Sequence, residues 1–322
     1  MLRLFLILSL SLFLQSLSAK SWEPVYGPFD SLTVKCERDM DNFTRSERCK
    51  AYIKSMYAIA RKHKDKPVLM WRAMYWDAFW MWKSSKETFA INIANKAIKL
   101  VDTVKYEYDY RRIQRLLLNC NLDKKTYFES YKEYKKSLCY FTKVDDTLNI
   151  ANTCVTIGNI FQQLGEANKA YDYLSRADSL YKLCNQKKYR IKNRLNIANV
   201  LSDKGERKKA IQTLLWITRQ EDVKNDTAFM LQVYASLSSS VNNITQREFY
   251  SRKAYRLAKT YGEEDLLMQA FVNMGAAYIN TNKGDIALLF YRKVWNYLQR
   301  NKNNRLLLPL SLIHISEPTR PY

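Results

Sequence analysis

The sequence predicts an all-α fold, an α-solenoid of antiparallel helix pairs that recur about every 40 residues. No proline occurs between Pro67 and Pro309, and the 322 residues include only seven glycines, whereas β-rich and α/β proteins use both residues in their turns. Glycine–acid pairs recur at a fixed spacing, and small residues repeat with the same period. Self-similarity at a period of roughly 20 to 50 residues is typical of solenoids.

The chain begins with the features of a secretory signal peptide over residues 1–19. Arg3 precedes an apolar run from Leu4 to Leu14. This run is shorter than the ~20 residues that a membrane span needs, and its length is typical of a signal peptide. Cleavage would place the mature protein outside the cytoplasm. An uncleaved anchor and a short core helix are the alternatives.

The rest of the chain divides by pattern into a lead-in and two sets of helix pairs. Residues 20–66 are predicted to be an irregular or helical lead-in, irregular up to about Arg45 because of its prolines and glycine. Residues 67–145 are predicted to hold degenerate helix pairs, and residues 146–309 the regular repeats. We expect about six helical hairpins in total.

The turns of the repeat are marked by glycine followed by an acidic residue. Gly165-Glu166 and Gly205-Glu206 lie 40 residues apart, and Gly284-Asp285 follows 79 residues later. Glycine lets a helix end in a left-handed turn, and an acid suits the N-terminus of the next helix. Where the missing copy is due, Asn242-Asn243 supplies the next best residues for that conformation.

Small residues recur before and after these turns with the same period. They are Gly158, Ala198, Ala235 and Gly275 before the turns, and Ala170, Ala210 and Ala287 after them. Together with bulky residues at fixed offsets, this pattern resembles the tetratricopeptide repeat family over residues 146–300. The period exceeds that family's usual value of about 34. The resemblance implies a right-handed α-solenoid in which the first helix of each pair lines a concave, peptide-binding groove.

Projected onto that groove, the chain presents a row of polar and mainly amide side chains. The candidate groove residues are Asn152, Asn159, Lys192, Asn196, Asn199, Gln232, Ser236 and Asn273. Lys192, Asn196 and Asn199 resemble in part the lysine–asparagine clamp that some family members use for a C-terminal carboxylate. Val155 stands in place of the first lysine of that clamp. The alternative is that these side chains are only solvated.

The segment from Met70 to Trp82 is unusually aromatic. On a helix, Trp71, Tyr75, Phe79 and Trp82 share one face at spacings of four, four and three. One interpretation is a buried helix packed between its partner and the next repeat. The other is an exposed aromatic platform for a peptide or a sugar ring.

Six cysteines in an exported chain permit disulfides. Cys36 and Cys49 flank a short charged segment and are the predicted pair, while the other four are either paired or free buried thiols. The chain has no CxxC motif and no Cys/His cluster, so we expect no metal. We also expect no other cofactor.

The formal net charge of +22 is of the size that nucleic-acid-binding domains carry. Export argues against a nucleic-acid partner, and the cations are spread along the chain rather than massed. We therefore expect solvated helix faces and no nucleic acid bound by this region. Attraction to an anionic envelope surface is the alternative.

The sequence offers no catalytic constellation. It contains no GxGxxG, Walker-type, HExxH or GxSxG motif. Outside the last thirteen residues His63 is the single histidine, and it lies in a run of charges. We expect a non-catalytic module with a protein or peptide partner rather than a small-molecule substrate.

A signal peptide that leads directly into such repeats resembles the sensor half of membrane-bound regulators of Gram-negative gut bacteria. The resemblance implies a periplasmic or periplasm-facing sensor region of a signalling or transcription-regulatory protein, anchored in the membrane through a missing C-terminal part. The alternative is a free periplasmic or surface scaffold for envelope or nutrient-uptake assembly.

The last residues differ in kind from the repeats. Leu310–Arg320 reads LSLIHISEPTR, which is identical to a translation of the adaptor used in transposase-based DNA library preparation. We interpret residues 310–322 as a sequencing artefact and expect the native chain to be truncated near Pro309. A genuine C-terminal peptide is the alternative.

Overall fold

The computed structural model describes residues 23–41, 47–84, 86–120, 127–262, 264–279 and 283–300. Every regular element within these ranges is an α-helix, so the all-α prediction is confirmed. The predicted signal peptide and the adaptor-like tail lie outside the described residues. No described helix is both long enough and apolar enough to cross a membrane.

The described residues divide into two compact units. Unit 1 comprises the part up to Glu166 together with Ser179–Asn185, and unit 2 comprises Ala167–Asp178 together with the part from Gln186 onward. Unit 1 contains α1 (Gly27–Asp41), α2 (Glu47–Lys62), α3 (Val68–Lys83), α4 (Glu87–Leu100), α5 (Glu107–Cys120), α6 (Tyr127–Lys143) and α7 (Thr147–Gln163). Helix α8 (Ala167–Leu183) contributes residues to both units. Unit 2 contains α9 (Lys187–Asp203), α10 (Arg207–Thr218), α11 (Glu221–Lys224), α12 (Thr227–Ser240), α13 (Ile244–Tyr261), α14 (Glu264–Tyr278) and α15 (Gly284–Arg300).

Helices that follow each other along the chain pack as pairs. Unit 1 has the pairs α1/α2, α3/α4 and α5/α6, and unit 2 has α9/α10, α12/α13 and α14/α15. The first helices of unit 2 also contact one another, α9 with α12 and α12 with α14. This is the antiparallel repeat that the sequence predicts.

The segment predicted to be irregular between Lys20 and Arg45 contains helix α1. Pro28 lies in its first turn, where a missing N–H costs nothing. The Asp30 carboxylate accepts hydrogen bonds from the backbone N–H groups of Val25 and Tyr26, both at 2.9 Å, and Phe29 is fully buried. Proline and glycine therefore mark the start of a helix here.

Two of the three glycine–acid pairs form the predicted left-handed turns. Gly165 and Gly205 have φ of 77° and 80°, and the backbone N–H groups of Glu166 and Glu206 donate back to the preceding helix at 2.9 and 2.8 Å. Such bonds satisfy the last carbonyls of a helix. The third pair was wrongly predicted as a turn, because Gly284 is the first residue of α15.

The prediction for Asn242-Asn243 was also wrong. Asn243 has an extended backbone, with φ −71° and ψ 123°, and its side chain caps α13 by accepting from the Gln246 N–H at 3.0 Å. Left-handed backbone occurs instead at Asp145 and Asn185, with φ of 54° and 55°. Both lie at helix–helix turns that the sequence pattern did not mark.

The small residues of the repeat allow close packing, as predicted. Ala170, Ala198 and Ala210 are fully buried. At Gly275 a Cβ atom would lie 2.7 Å from the ring of Tyr291, which is itself buried. Glycine is required there because α14 and α15 approach each other too closely for a side chain.

Candidate functional site

The predicted groove residues of unit 1 lie on one side of α7. Asn152, Val155 and Asn159 are half-buried, while Cys154 and Ile157 on the other side are fully buried. The Asn152 Oδ1 atom accepts a hydrogen bond from the Tyr181 hydroxyl at 2.7 Å. Burial raises the pKa of Tyr181, so this phenol stays protonated and remains a donor at neutral pH.

The predicted groove residues of unit 2 form an open row on α9, α12 and α14. Asn196, Asn199, Ser236 and Asn273 are half-buried, and Gln232 is exposed. Their neighbours on the opposite sides of the same helices are in the core, as the full burial of Ala198, Val233 and Ala270 shows. The row therefore consists of amides and a hydroxyl on an apolar base.

Asn273 carries a donor for which the described residues offer no acceptor. Its Nδ2 atom is buried and has no hydrogen-bond acceptor among the described residues. Its backbone carbonyl accepts a long hydrogen bond from Ser251 Oγ at 3.4 Å. Leaving a buried donor unsatisfied costs about 1–3 kcal/mol, so a rotation of the side chain that brings Nδ2 to an acceptor would be favoured.

Lys192 is not the free cation that a carboxylate clamp requires, which corrects the prediction. Its ammonium lies 2.7 Å from Asp226 Oδ2, and the two side chains are only 15% and 8% exposed. It also lies over the Phe229 ring, 5.4 Å from the centroid. The other Asp226 oxygen accepts from the Phe229 N–H at 3.1 Å. Lys192 therefore neutralises the residue that caps α12.

Of the two interpretations of the aromatic segment, the structure favours the buried helix over the exposed platform. Trp71 and Tyr75 are 2% and 4% exposed, and only Phe79 and Trp82 keep partial exposure. Lys83 covers both of these rings, at 5.5 and 5.0 Å from their centroids. The four rings lie along one helix face as predicted, but that face is packed against neighbouring helices.

The packing of α3 is fixed by a buried ion pair that the sequence did not reveal. Arg72 Nε and Nη2 donate to the two oxygens of Asp109 at 2.9 and 3.1 Å, and Trp71 Nε1 donates to Asp109 Oδ2 at 2.8 Å. Arg72 Nη1 donates to the carbonyl of Glu23 at 2.6 Å. No spacing rule links residues 37 positions apart, so only the packed structure brings this pair together.

A second polar network joins α5 to α7. Asp146 Oδ2 accepts from the Tyr108 hydroxyl at 2.9 Å and from Asn149 Nδ2 at 2.6 Å. Arg115 Nη1 donates to Asn149 Oδ1 at 2.5 Å. The other oxygen of Asp146 caps α7 through the Asn149 N–H at 3.0 Å. These bonds set the position of the helix that carries Asn152 and Asn159.

The predicted disulfide residues lie together as thiols. Cys36 and Cys49 are both fully buried. The Cys36 side chain hydrogen-bonds with that of Cys49 and donates to the Cys49 carbonyl at 3.9 Å. Burial, with the neighbouring Cys49, raises the pKa of Cys36. The disulfide stays a prediction, and the geometry brings its two partners into contact.

Groups that could hold a metal ion are absent from the described ranges. His63 packs against the ring of Tyr26, with centroids 4.4 Å apart.

No protein-family model matches the chain, and no curated protein matches it. Its structure is similar to that of a Rap protein complexed with competence and sporulation factor, at 15% identity and a TM-score of 0.70, covering 89% of this chain and 81% of that one. It is also similar to the Rap conjugation gene regulator of plasmid pLS20 in complex with the Phr* peptide, at 14% identity and a TM-score of 0.59, covering 79% and 74%. A third match is a signal-transduction ATPase with a tetratricopeptide repeat sensor from Pyrococcus horikoshii, at 15% identity and a TM-score of 0.52, covering 88% of this chain and 44% of that one.

The fold is a tetratricopeptide-like helical repeat. At identities of 13–15% these likenesses concern architecture alone. The tetratricopeptide-like pairs explain why the predicted groove residues fall on first helices. The repeat pattern does not explain the ion pair between Lys192 and Asp226.

Proposed function

We propose that this chain is a peptide-binding module whose ligand lies along the open faces of the first helices. The observation that carries the proposal is the row of amide and hydroxyl side chains on α9, α12 and α14. Amide side chains both donate and accept hydrogen bonds, which suits the alternating N–H and C=O groups of an extended peptide. The one charged candidate in the row, Lys192, is neutralised by Asp226.

The Asn273 side chain would give this row a point of specific contact once it turns toward the open face. There a peptide carbonyl that accepts from Nδ2 would satisfy a group that has no acceptor among the described residues. The Rap structures that share this fold support the proposal, because one is complexed with competence and sporulation factor and another with the Phr* peptide.

Removing the amides of Gln232 and Asn273 should weaken peptide binding by about tenfold or more, because each lost hydrogen bond is worth about 0.5–1.5 kcal/mol. The probe is a peptide selected from a randomised phage-displayed library, and its affinity is measured by titration calorimetry against Gln232→Ala/Asn273→Ala. Gln212→Ala is the matched control, because Gln212 is an exposed amide on α10. A selected peptide that binds both variants equally would refute this site.

We propose further that the module acts outside the cytoplasm, as the sensor region of a membrane-bound signalling or transcription-regulatory protein. The apolar run from Leu4 to Leu14 supports this location. Fusing residues 1–40 to alkaline phosphatase, which folds to an active form only after export, should give an active enzyme in a Gram-negative host. Leu6→Arg/Leu8→Arg, which interrupts the apolar run, should abolish that activity. An active fusion with the interrupted run would contradict export through this segment.

A further inference from the structure

Charge is unevenly distributed between the helices of unit 2. Its second helices α10, α13 and α15 carry three, five and three Lys and Arg residues, against two carboxylates in all. Its first helices α9, α12 and α14 carry five cations, all on α9, against three carboxylates. Most of the positive charge of unit 2 therefore lies on second helices.

The cations of the first helices are mostly neutralised by ion pairs. Lys187 lies 2.7 Å from Asp222, and Lys192 lies 2.7 Å from Asp226. Arg190 and Arg194 share Asp178 at 3.1 and 3.0 Å. Four of the five cations on α9 thus have a carboxylate partner, and this layer presents little net charge.

Most cations of the second helices are exposed, while Arg247 and Lys253 are half-buried. On these helices Lys209 pairs with Glu206, and Arg252 with Glu248. Seven other exposed cations have no carboxylate within 4.0 Å in the part of the chain that the structure describes, namely Arg207, Lys208, Arg256, Lys259, Arg292, Lys293 and Arg300. Their positive charge is therefore not neutralised by these carboxylates and can attract an anionic partner to the second helices.

Large apolar side chains are exposed on two of the same helices. Phe249 on α13 is 51% exposed, and on α15 Leu288 is 52%, Leu289 57% and Trp295 37% exposed. Phe249 lies one turn before Lys253, whose ammonium is 4.6 Å from the ring centroid, and Leu289 lies one turn before Lys293. Residues four apart share a helix face, so apolar and cationic groups occupy the same faces.

Helices α13 and α15 both pack against α14. Tyr255 of α13 and Phe290 of α15 pack against the same buried cluster, which contains Tyr278 and Tyr291. Lys283, next to the start of α15, lies 3.7 Å from Glu248 of α13. The two helices thus come close at this point, and we call their exposed cationic and apolar side chains together the surface of α13 and α15.

We propose that this surface of α13 and α15 docks on an anionic lipid bilayer. Lysine and arginine near an acidic membrane are attracted to its headgroups, each with about 1 kcal/mol. Aromatic and aliphatic side chains between them enter the boundary between headgroups and acyl chains, while the long cationic stems keep their charges in water. Exposed leucines contribute to lipid contact and nothing to phosphate recognition in nucleic acids, so the surface favours a membrane. The first helices are not part of it, and it is independent of peptide binding.

Flotation with lipid vesicles tests the proposal. The chain from Lys20 onward keeps all fifteen described helices and lacks the apolar segment that would itself insert into lipid. It should float with phosphatidylcholine vesicles containing a third of phosphatidylglycerol, and not with pure phosphatidylcholine. Lys253→Glu/Arg256→Glu should weaken binding at least about tenfold, because two attractive charges become repulsive. Leu288→Ser/Leu289→Ser should lower the binding that remains at high salt.

The control Lys35→Glu/Lys64→Glu makes the same change in net charge at exposed residues outside this surface. It should float like the unsubstituted chain. The proposal fails if the unsubstituted chain does not float with the anionic vesicles, or if the control loses as much binding as the Lys253/Arg256 variant. It also fails if a DNA duplex binds as tightly as the anionic vesicles and is lost in the same variant, since the surface would then be a nucleic-acid site.

Discussion

Replacing Arg72 with methionine should destabilise unit 1 by about 3–5 kcal/mol, because it leaves the Asp109 carboxylate buried without its cation. Arg72 and Asp109 are 3% and 2% exposed, so water cannot replace the lost guanidinium. Trp71 Nε1 would be the only one of the three side-chain donors to remain. Urea unfolding followed by tryptophan fluorescence measures the change, since four of the seven tryptophans, Trp71 among them, lie on α3.

Two further variants distinguish the cost of leaving a buried charge unpaired from the cost of losing any ion pair. Arg72→Met/Asp109→Leu should recover much of the lost stability, because a buried ion pair exchanged for apolar side chains of similar size is often neutral. Lys136→Met removes an exposed ion pair with Glu133, in which Lys136 is 62% exposed, and should change stability by less than about 1 kcal/mol. If Arg72→Met behaved like Lys136→Met, the pair would not hold α3 and α5 in place.

Oxidation of Cys36 and Cys49 should stabilise the protein by about 3 kcal/mol, the amount expected for a closed loop of this length. The two side chains are already hydrogen-bonded in the core. Because burial raises the pKa of the Cys36 thiol, little thiolate forms in the folded protein, so we expect the disulfide to form before folding is complete. Once formed, it is buried and reductants reach it slowly. Peptide mapping after alkylation should find these residues linked, and unfolding in the presence of a reductant should occur at lower urea.

Two matched variants test whether the response of unfolding to reductant comes from Cys36 and Cys49. Cys36→Ala/Cys49→Ala should unfold at the same urea concentration with and without reductant. Cys139→Ser should keep the full response to reductant, because Cys139 is exposed and lies on a different helix pair. Alkylation of both Cys36 and Cys49 in protein recovered from the periplasm would show that they remain thiols.

Much of the repeat was predictable because its signals are local. Gly165 and Gly205 predict left-handed turns, since glycine is the residue that adopts positive φ without strain. Asp145 and Asn185 adopt the same conformation, and the sequence pattern missed them because neither residue is restricted to it. Gly284 shows the opposite case, in which a glycine with the expected neighbour begins a helix.

The candidate site stays a prediction, and the structure shows the state of its side chains. Helical spacing places Asn196, Asn199 and Asn273 on the same side of first helices, and all three are half-buried. The same spacing allowed a free Lys192 and left open whether Trp71 is buried or exposed. Asp226 lies 34 residues from Lys192, and Asp109 lies 38 residues from Trp71, so neither partner is visible to a local pattern.

The sequence by itself determined the all-α class, the helix-pair repeat and the row of amides, because these depend on backbone preference and on a periodicity of 3.6 residues. Only the tertiary structure decided which polar groups remain available. Packing pairs Lys192 with Asp226 and Arg72 with Asp109, leaves the Asn273 donor without an acceptor among the described residues, and gathers exposed cations and apolar side chains on α13 and α15. Whether a polar side chain is available to a ligand depends on contacts between residues distant in sequence. Such contacts exist only once the helices have packed.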